Sequence, residues 1–87
     1  MTYRIEATPV ARRDLAALPR DILKRIDVRI LALAKDPHPQ GAKKLEGGKG
    51  FFRIRVGDYR IIYMVEHHRL VIVVVRVGHR REVYRKS

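Results

Sequence analysis

The chain has no cysteine, which removes both disulfide staples and thiolate metal sites, and its four histidines are not spaced as a ligand set. Neither a metal nor a cofactor is therefore expected. Its longest apolar run, residues 70–75, is too short to cross a bilayer, and Met1-Thr2-Tyr3-Arg4-Ile5-Glu6 alternates polar with apolar rather than forming a signal-peptide core. A cytoplasmic protein without membrane contact is the expectation. Aromatic residues are sparse, four Tyr and two Phe, and make no surface stripe on which bases could stack. Acidic residues are few relative to basic ones: nine Asp/Glu stand against 20 Lys/Arg, a formal charge of +11.

That deficit is uneven. Residues 1–36 carry eight Lys/Arg and five Asp/Glu (+3), whereas residues 37–87 carry the other twelve and four (+8). A one-sided basic field calls for a polyanionic partner, either nucleic acid or an acidic protein. What the chain does have is apolar content, 46%, enough for a core in 87 residues, so residues 1–87 are read as one domain.

Along the chain, Tyr3, Ile5 and Ala7 alternate with Arg4 and Glu6, predicting a strand over 2–7. Thr8-Pro9 supplies an N-cap and a proline for the first helical position; Ala11, Leu15 and Leu18 follow at helical spacing until Pro19. A second helix carries Ile22, Leu23, Ile26, Ile30, Leu33 and Ala34 on one stripe, with Arg20, Asp21, Lys24, Arg25, Arg29 and Lys35 read as its solvated face. Asp36-Pro37-His38-Pro39-Gln40-Gly41 breaks that helix, and the chain to Gly50 reads as a loop bearing Lys43, Lys44 and Lys49. Gly47-Gly48-Lys49-Gly50 lacks the spacing and the Lys-Ser/Thr ending of a phosphate loop.

From Phe51 the period becomes two. Residues 51–56, 59–66 and 69–77 read as three strands joined by Gly57-Asp58 and by a turn near His67-His68. The expected fold is α+β: an N-terminal strand, an α-hairpin, then an antiparallel β-meander, giving a four-stranded sheet with the helices on one face. The residue 70–75 run, apolar on both faces, should be the central strand.

A two-residue loop at Gly57-Asp58 pairs Arg55 with Arg60 and Arg53 with Ile62, so Arg53, Arg55 and Arg60 share the face opposite Ile54, Val56, Ile61 and Tyr63. Two like charges at cross-strand spacing cost about 1–3 kcal/mol. A multianionic ligand turns that cost into binding energy, because guanidinium groups fork onto phosphate oxygens. The alternative is that long arginines splay into solvent with their stems over Ile62 and Met64. The tail Gly78-His79-Arg80-Arg81-Glu82-Val83-Tyr84 brings further cations and a tyrosine to the same patch. Tyrosine is about a thousandth ionised at neutral pH, and neighbouring arginines favour the phenolate. Tyr84 is thus a candidate base, although packing back onto the sheet is the more common use of such a C-terminal aromatic. His79 is either a proton donor or a polar turn residue.

The order strand, α-hairpin, Gly41-Ala42-Lys43-Lys44-Leu45, Phe52-Arg53-Ile54-Arg55-Val56-Gly57-Asp58-Tyr59-Arg60 and Val75-Arg76-Val77-Gly78-His79-Arg80-Arg81-Glu82-Val83-Tyr84 resembles the RelE branch of the RelE/ParE toxin superfamily over nearly the whole chain. The resemblance implies a bacterial or archaeal type II toxin, neutralised by a cognate antitoxin, that cleaves mRNA in the ribosomal A site. It assigns the family's basic pair to Arg53 and Arg55, its next arginines to Arg60 and Arg80, and its C-terminal tyrosine to Tyr84. The well-known members carry lysine where Arg53 and Arg55 stand, and arginine holds a phosphate without trading protons.

The chemistry implied is attack by a 2′-hydroxyl on its own phosphate without metal, leaving a 2′,3′-cyclic phosphate and a 5′-hydroxyl. Tyr84 would be the base, Arg53, Arg55 and Arg60 would hold the phosphate, Arg80 would stabilise the developing charge and His79 would protonate the leaving oxygen. Lys43, Lys44, Lys49 and Arg81 would contact RNA. Two other classes remain: a ParE-like inhibitor that binds DNA gyrase without chemistry, and an RNA-binding module without catalysis.

Overall fold

The computed structural model describes residues 2–45 and 50–79. The N-terminal alternation gives β1 (Arg4–Ala7). Thr8 then caps α1 (Pro9–Ala16), its hydroxyl accepting from the Ala11 amide at 3.0 Å while Pro9 fills the first helical turn, where no N–H is needed. Pro19 separates the helices, and its carbonyl accepts the Leu23 amide at 2.9 Å to open α2 (Arg20–Leu33). The three- and four-residue apolar steps of α2 bury Ile26, Ile30 and Leu33. The C-terminal carbonyl of Ala34, which the helix itself cannot satisfy, accepts the Tyr3 amide at 2.8 Å, tying the end of α2 to the approach to β1.

After α2 the Asp36 carboxylate accepts the His38 amide at 3.2 Å, a local turn that competes with helix. The chain then crosses to β2 (Lys43–Lys44), where the structure departs from the reading of residues 37–50 as loop. Lys43 pairs with Arg53 and Lys44 with Phe52, adding a fifth, two-residue edge strand. Nothing in two adjacent lysines alternates, so their pairing comes from the neighbouring strand rather than from their own pattern.

That neighbour is β3 (Phe51–Val56), followed by β4 (Tyr59–Glu66) and β5 (Val71–His79). The β3–β4 register is the expected one: Val56 opposite Tyr59, Arg55 opposite Arg60, Ile54 opposite Ile61 and Arg53 opposite Ile62. Gly57 takes φ 61° at the first loop position, as a type II′ hairpin requires. β5 begins at Val71 rather than at residue 69 because Leu70 adopts φ 54°, a left-handed conformation that cannot continue a strand.

The sheet order is β1-β5-β4-β3-β2, with β1 parallel to β5 and every other pair antiparallel. β5 is an interior strand, as its apolar run predicts, although β4 holds the geometric centre. Ile26, Ile30 and Leu33 of α2 and Ala11 of α1 pack on one face against Ile54, Ile61, Tyr63, Ile72 and Val74. No helix among the described residues is long and apolar enough to cross a membrane.

Two irregularities shape the upper half of β5. Ile62 pairs with Arg76 but Tyr63 with Val74, so Val75 is an extra residue, a bulge that resets the alternation. Ile72 and Val74 before it and Val77 after it all reach the core. The pairing with β1 also ends at Val74, and α1 takes over the vacated edge. The Thr8 amide donates to the Val74 carbonyl and the Thr8 hydroxyl to the Val75 carbonyl, each at 3.0 Å. Nearly two turns further on, Asp14 Oδ2 accepts from the Val77 amide and from Arg76 Nε, both at 2.9 Å. Side chains of a helix thus stand in for a missing strand.

At the opposite end, fully buried Tyr63 donates its hydroxyl to the Pro37 carbonyl at 2.7 Å. Phe52 stacks on its ring, His38 on Phe52, and His67 lies beside His38 and 2.8 Å from the Tyr3 hydroxyl. Burial, with a smaller contribution from Asp36, pushes the Tyr63 hydroxyl up to about 12.

Candidate nucleic-acid interface

The β3–β4 hairpin positions the arginines by alternation alone. Ile54 and Val56 must enter the core, so Arg53 and Arg55 cannot, and the register sets Arg55 opposite Arg60. β2 extends the row, since Lys43 opposite Arg53 lies on the same face, whereas Lys44 opposite Phe52 does not. Four cations thus occupy adjacent positions on three strands.

Arg53 is the unusual member. It is 8% exposed, the only charged residue among those described that is buried, and no described carboxylate lies within ion-pair distance of it. Arg55 is exposed and also lacks a carboxylate, while Arg60 is half-buried. The ion pairs among the described residues lie elsewhere. Arg4 with Glu6 and Arg69 with Glu6 and Glu66 gather at the start of β1 and the β4–β5 turn, and Arg76 with Asp14 joins β5 to α1. The paired carboxylates among the described residues therefore lie away from the β2–β3–β4 face, whose described charges are predominantly positive.

The edge of β3 adds a feature that the sequence did not disclose. Pairing with β2 stops at Lys43, and beyond it the chain leaves the sheet through Gly41 at φ 94°. A cleft of about 330 Å³ results, lined by Arg29, Gln40, Gly41, Lys43, Arg53, Ile54 and Arg55. Arg29 reaches it from α2 and donates through Nη1 to the Arg55 carbonyl at 3.4 Å. Arg25, one turn earlier, passes over Gly57, where a Cβ would meet its guanidinium at 3.3 Å. The helical pattern alone assigns both arginines to a solvated face. Their signal was their position: each immediately precedes a buried isoleucine, Ile26 or Ile30, and so flanks the apolar stripe.

His79 ends β5 opposite Tyr59, with the two rings 5.9 Å apart edge to face. Tyr59 packs against the core, so His79 lies on the helix side of the sheet and Gly78, opposite Arg60, lies on the arginine side. Of the remaining candidates, Lys49, Arg80, Arg81 and Tyr84 lie outside the described residues. The described His, Asp and Glu residues form no group of three or more able to hold a metal ion.

Residues 5–84 match the family model described as the ParE toxin of type II toxin-antitoxin systems. Among curated proteins, toxin RelG of Mycobacterium tuberculosis is 33% identical over 99% of this chain and 100% of its own length. The putative toxin RelE1 of Methanocaldococcus jannaschii is 27% identical over 98% of each. Among solved structures, the toxin-antitoxin complex RelBE2 of M. tuberculosis gives a TM-score of 0.81 at 32% identity, covering 91% of this chain and 92% of its counterpart. The archaeal RelE-RelB complex of Pyrococcus horikoshii gives 0.79 at 32% identity, covering 92% and 97%. With its helical pair on a five-stranded sheet and these relatives, the chain belongs to the RelE/ParE superfamily of type II toxins and is RelE-like within it.

Proposed function

We propose that this toxin is a ribosome-dependent endoribonuclease that cuts mRNA in the A site and so stops translation. The observation that carries the reading is Arg53, a buried guanidinium with no described carboxylate within ion-pair distance, on one face with Arg55 and Arg60. Arginine stays protonated at any physiological pH, and a desolvated cation with no described carboxylate beside it is stabilised by an anion from outside. A phosphodiester supplies one, and supplies more charge as the pentacoordinate phosphorus forms.

In this reading Arg53, Arg55 and Arg60 grip the reacting phosphate and hold the attacking 2′-oxygen in line. Arg80 stabilises the charge that develops, and Tyr84 takes the 2′-hydroxyl proton. His79 protonates the departing 5′-oxygen only after leaving Tyr59, because its ring packs on the far side of the sheet. The M. tuberculosis and P. horikoshii relatives are seen with antitoxins, which supports a cognate antitoxin here, one whose acidic surface would cover the arginine face.

The family model carries the ParE description, which favours one second reading, binding to DNA gyrase without chemistry. Programmed ribosomes carrying a defined mRNA separate the two. New 5′ ends in the A-site codon that vanish with Arg55→Ala and Tyr84→Phe are expected. Intact mRNA alongside inhibited DNA supercoiling would replace the nuclease by the gyrase reading.

A further inference from the structure

Between β2 and the open edge of β3 lies a cleft that borders the phosphate-gripping face. Its wall carries Arg29 of α2 and Lys43 of β2, with Arg53 and Arg55 of β3 shared between the cleft and the face. No described carboxylate lines it, and none of the described ion pairs involves these four residues. Concentrating four like charges around one hollow is unfavourable by itself, so the arrangement is stable at low cost only with an anion present.

The backbone is shaped to the same end. The Arg55 carbonyl accepts from Arg29 and so points out of the sheet toward the cleft, and in an antiparallel strand the N–H of the same residue points to the same side. Gly41, at φ 94° with open space where a Cβ would stand, turns the chain away and leaves the edge accessible. A volume of about 330 Å³ suits a phosphate with part of its sugar, at the small end of ligand sites.

We infer that this cleft is a second phosphate subsite, holding the phosphate of a nucleotide that neighbours the cut on the same RNA strand, with Arg29 and Lys43 as its cations. The inference rests on the nuclease reading above and extends it. Arg53 and Arg55 are two residues apart, about 7 Å along a strand, so a chain gripped on the face passes its next phosphate over the β3 edge into the cleft. Two adjacent phosphates held at once fix the direction of the strand as well as its position.

Single-turnover cleavage on programmed ribosomes tests this, using messages in which each phosphate flanking the cut is replaced, one at a time, by an uncharged methylphosphonate. Arg29→Ala should raise the half-saturating toxin concentration about tenfold, with a far smaller change in maximal rate and an unaltered melting temperature. At one flanking position the methylphosphonate should weaken the wild type equally and cost Arg29→Ala nothing more. Losses that simply multiply at every position would overturn the subsite, placing Arg29 on ribosomal RNA or in a purely structural role. An unchanged half-saturating concentration in a wild type that cuts would overturn the subsite alone. A wild type that makes no cut would bring down the nuclease reading itself.

Discussion

Tyr63 and Arg53 meet burial from opposite sides of the same sheet. Tyr63 ionises with difficulty, up to about 12 against an unfolded value near 10, because its hydroxyl is desolvated before the Asp36 charge adds its part. A folded value raised above the unfolded one gives stability that is complete below about pH 10 and is lost as pH rises toward 12. Unfolding free energies of wild type and Tyr63→Phe from denaturant titrations should therefore converge over that window, the variant starting about 1–2 kcal/mol lower because the Pro37 carbonyl loses its donor. Arg53 predicts the reverse trade. Arg53→Met removes a buried charge that no described carboxylate offsets, and should raise stability by about 1 kcal/mol in denaturant titration while abolishing RNA cleavage. Both positions were legible in part. Alternation placed Arg53, Arg55 and Arg60 together, but the depth of Arg53 depends on how the sheet is covered. Arg29 was out of reach, because a helical pattern shows that a residue flanks the apolar stripe without showing which flank meets the hairpin.

At the scale of elements, α1 does two jobs, and the second is invisible to helix propensity. Its N-terminus is capped by Thr8, which the Thr8-Pro9 pair predicted, yet the same hydroxyl also bonds the β5 edge, and Asp14 continues that role at Val77. Asp14→Ala should cost about 2–3 kcal/mol, since it strands the Val77 amide and frees Arg76. Asp14→Asn should recover roughly half of that, because the amide oxygen still accepts from Val77 while the ion pair is gone; equal losses in urea titrations would refute the division. The hairpin register was legible because a two-residue loop admits one pairing. β2 was not, since its two lysines pair only by lying next to β3. Nor was the β5 bulge, where an unbroken valine run has no polar residue to mark the slip. The parallel partner of β1 was likewise unspecified, as alternation fixes a strand's faces and leaves its neighbours open.

For the molecule as a whole, the +11 charge matters through its segregation from the carboxylates. Binding to single-stranded RNA should weaken linearly with the logarithm of salt, and Arg55→Ala should reduce the slope by about 0.7 in fluorescence anisotropy, with a slope equal to that of wild type counting against a phosphate contact. The topology has another consequence. The hydroxyl bond that locks β1 to β5 joins positions 67 residues apart, Thr8 and Val75. β1 thus waits during synthesis for a partner made long after it, and the core lacks Ile72, Val74 and Val77 until then. Non-local closure of this kind makes folding slow and all-or-none. On the nuclease reading proposed above, that delay acts as a built-in safety catch: there is no folded blade to cut with until β5 has been made.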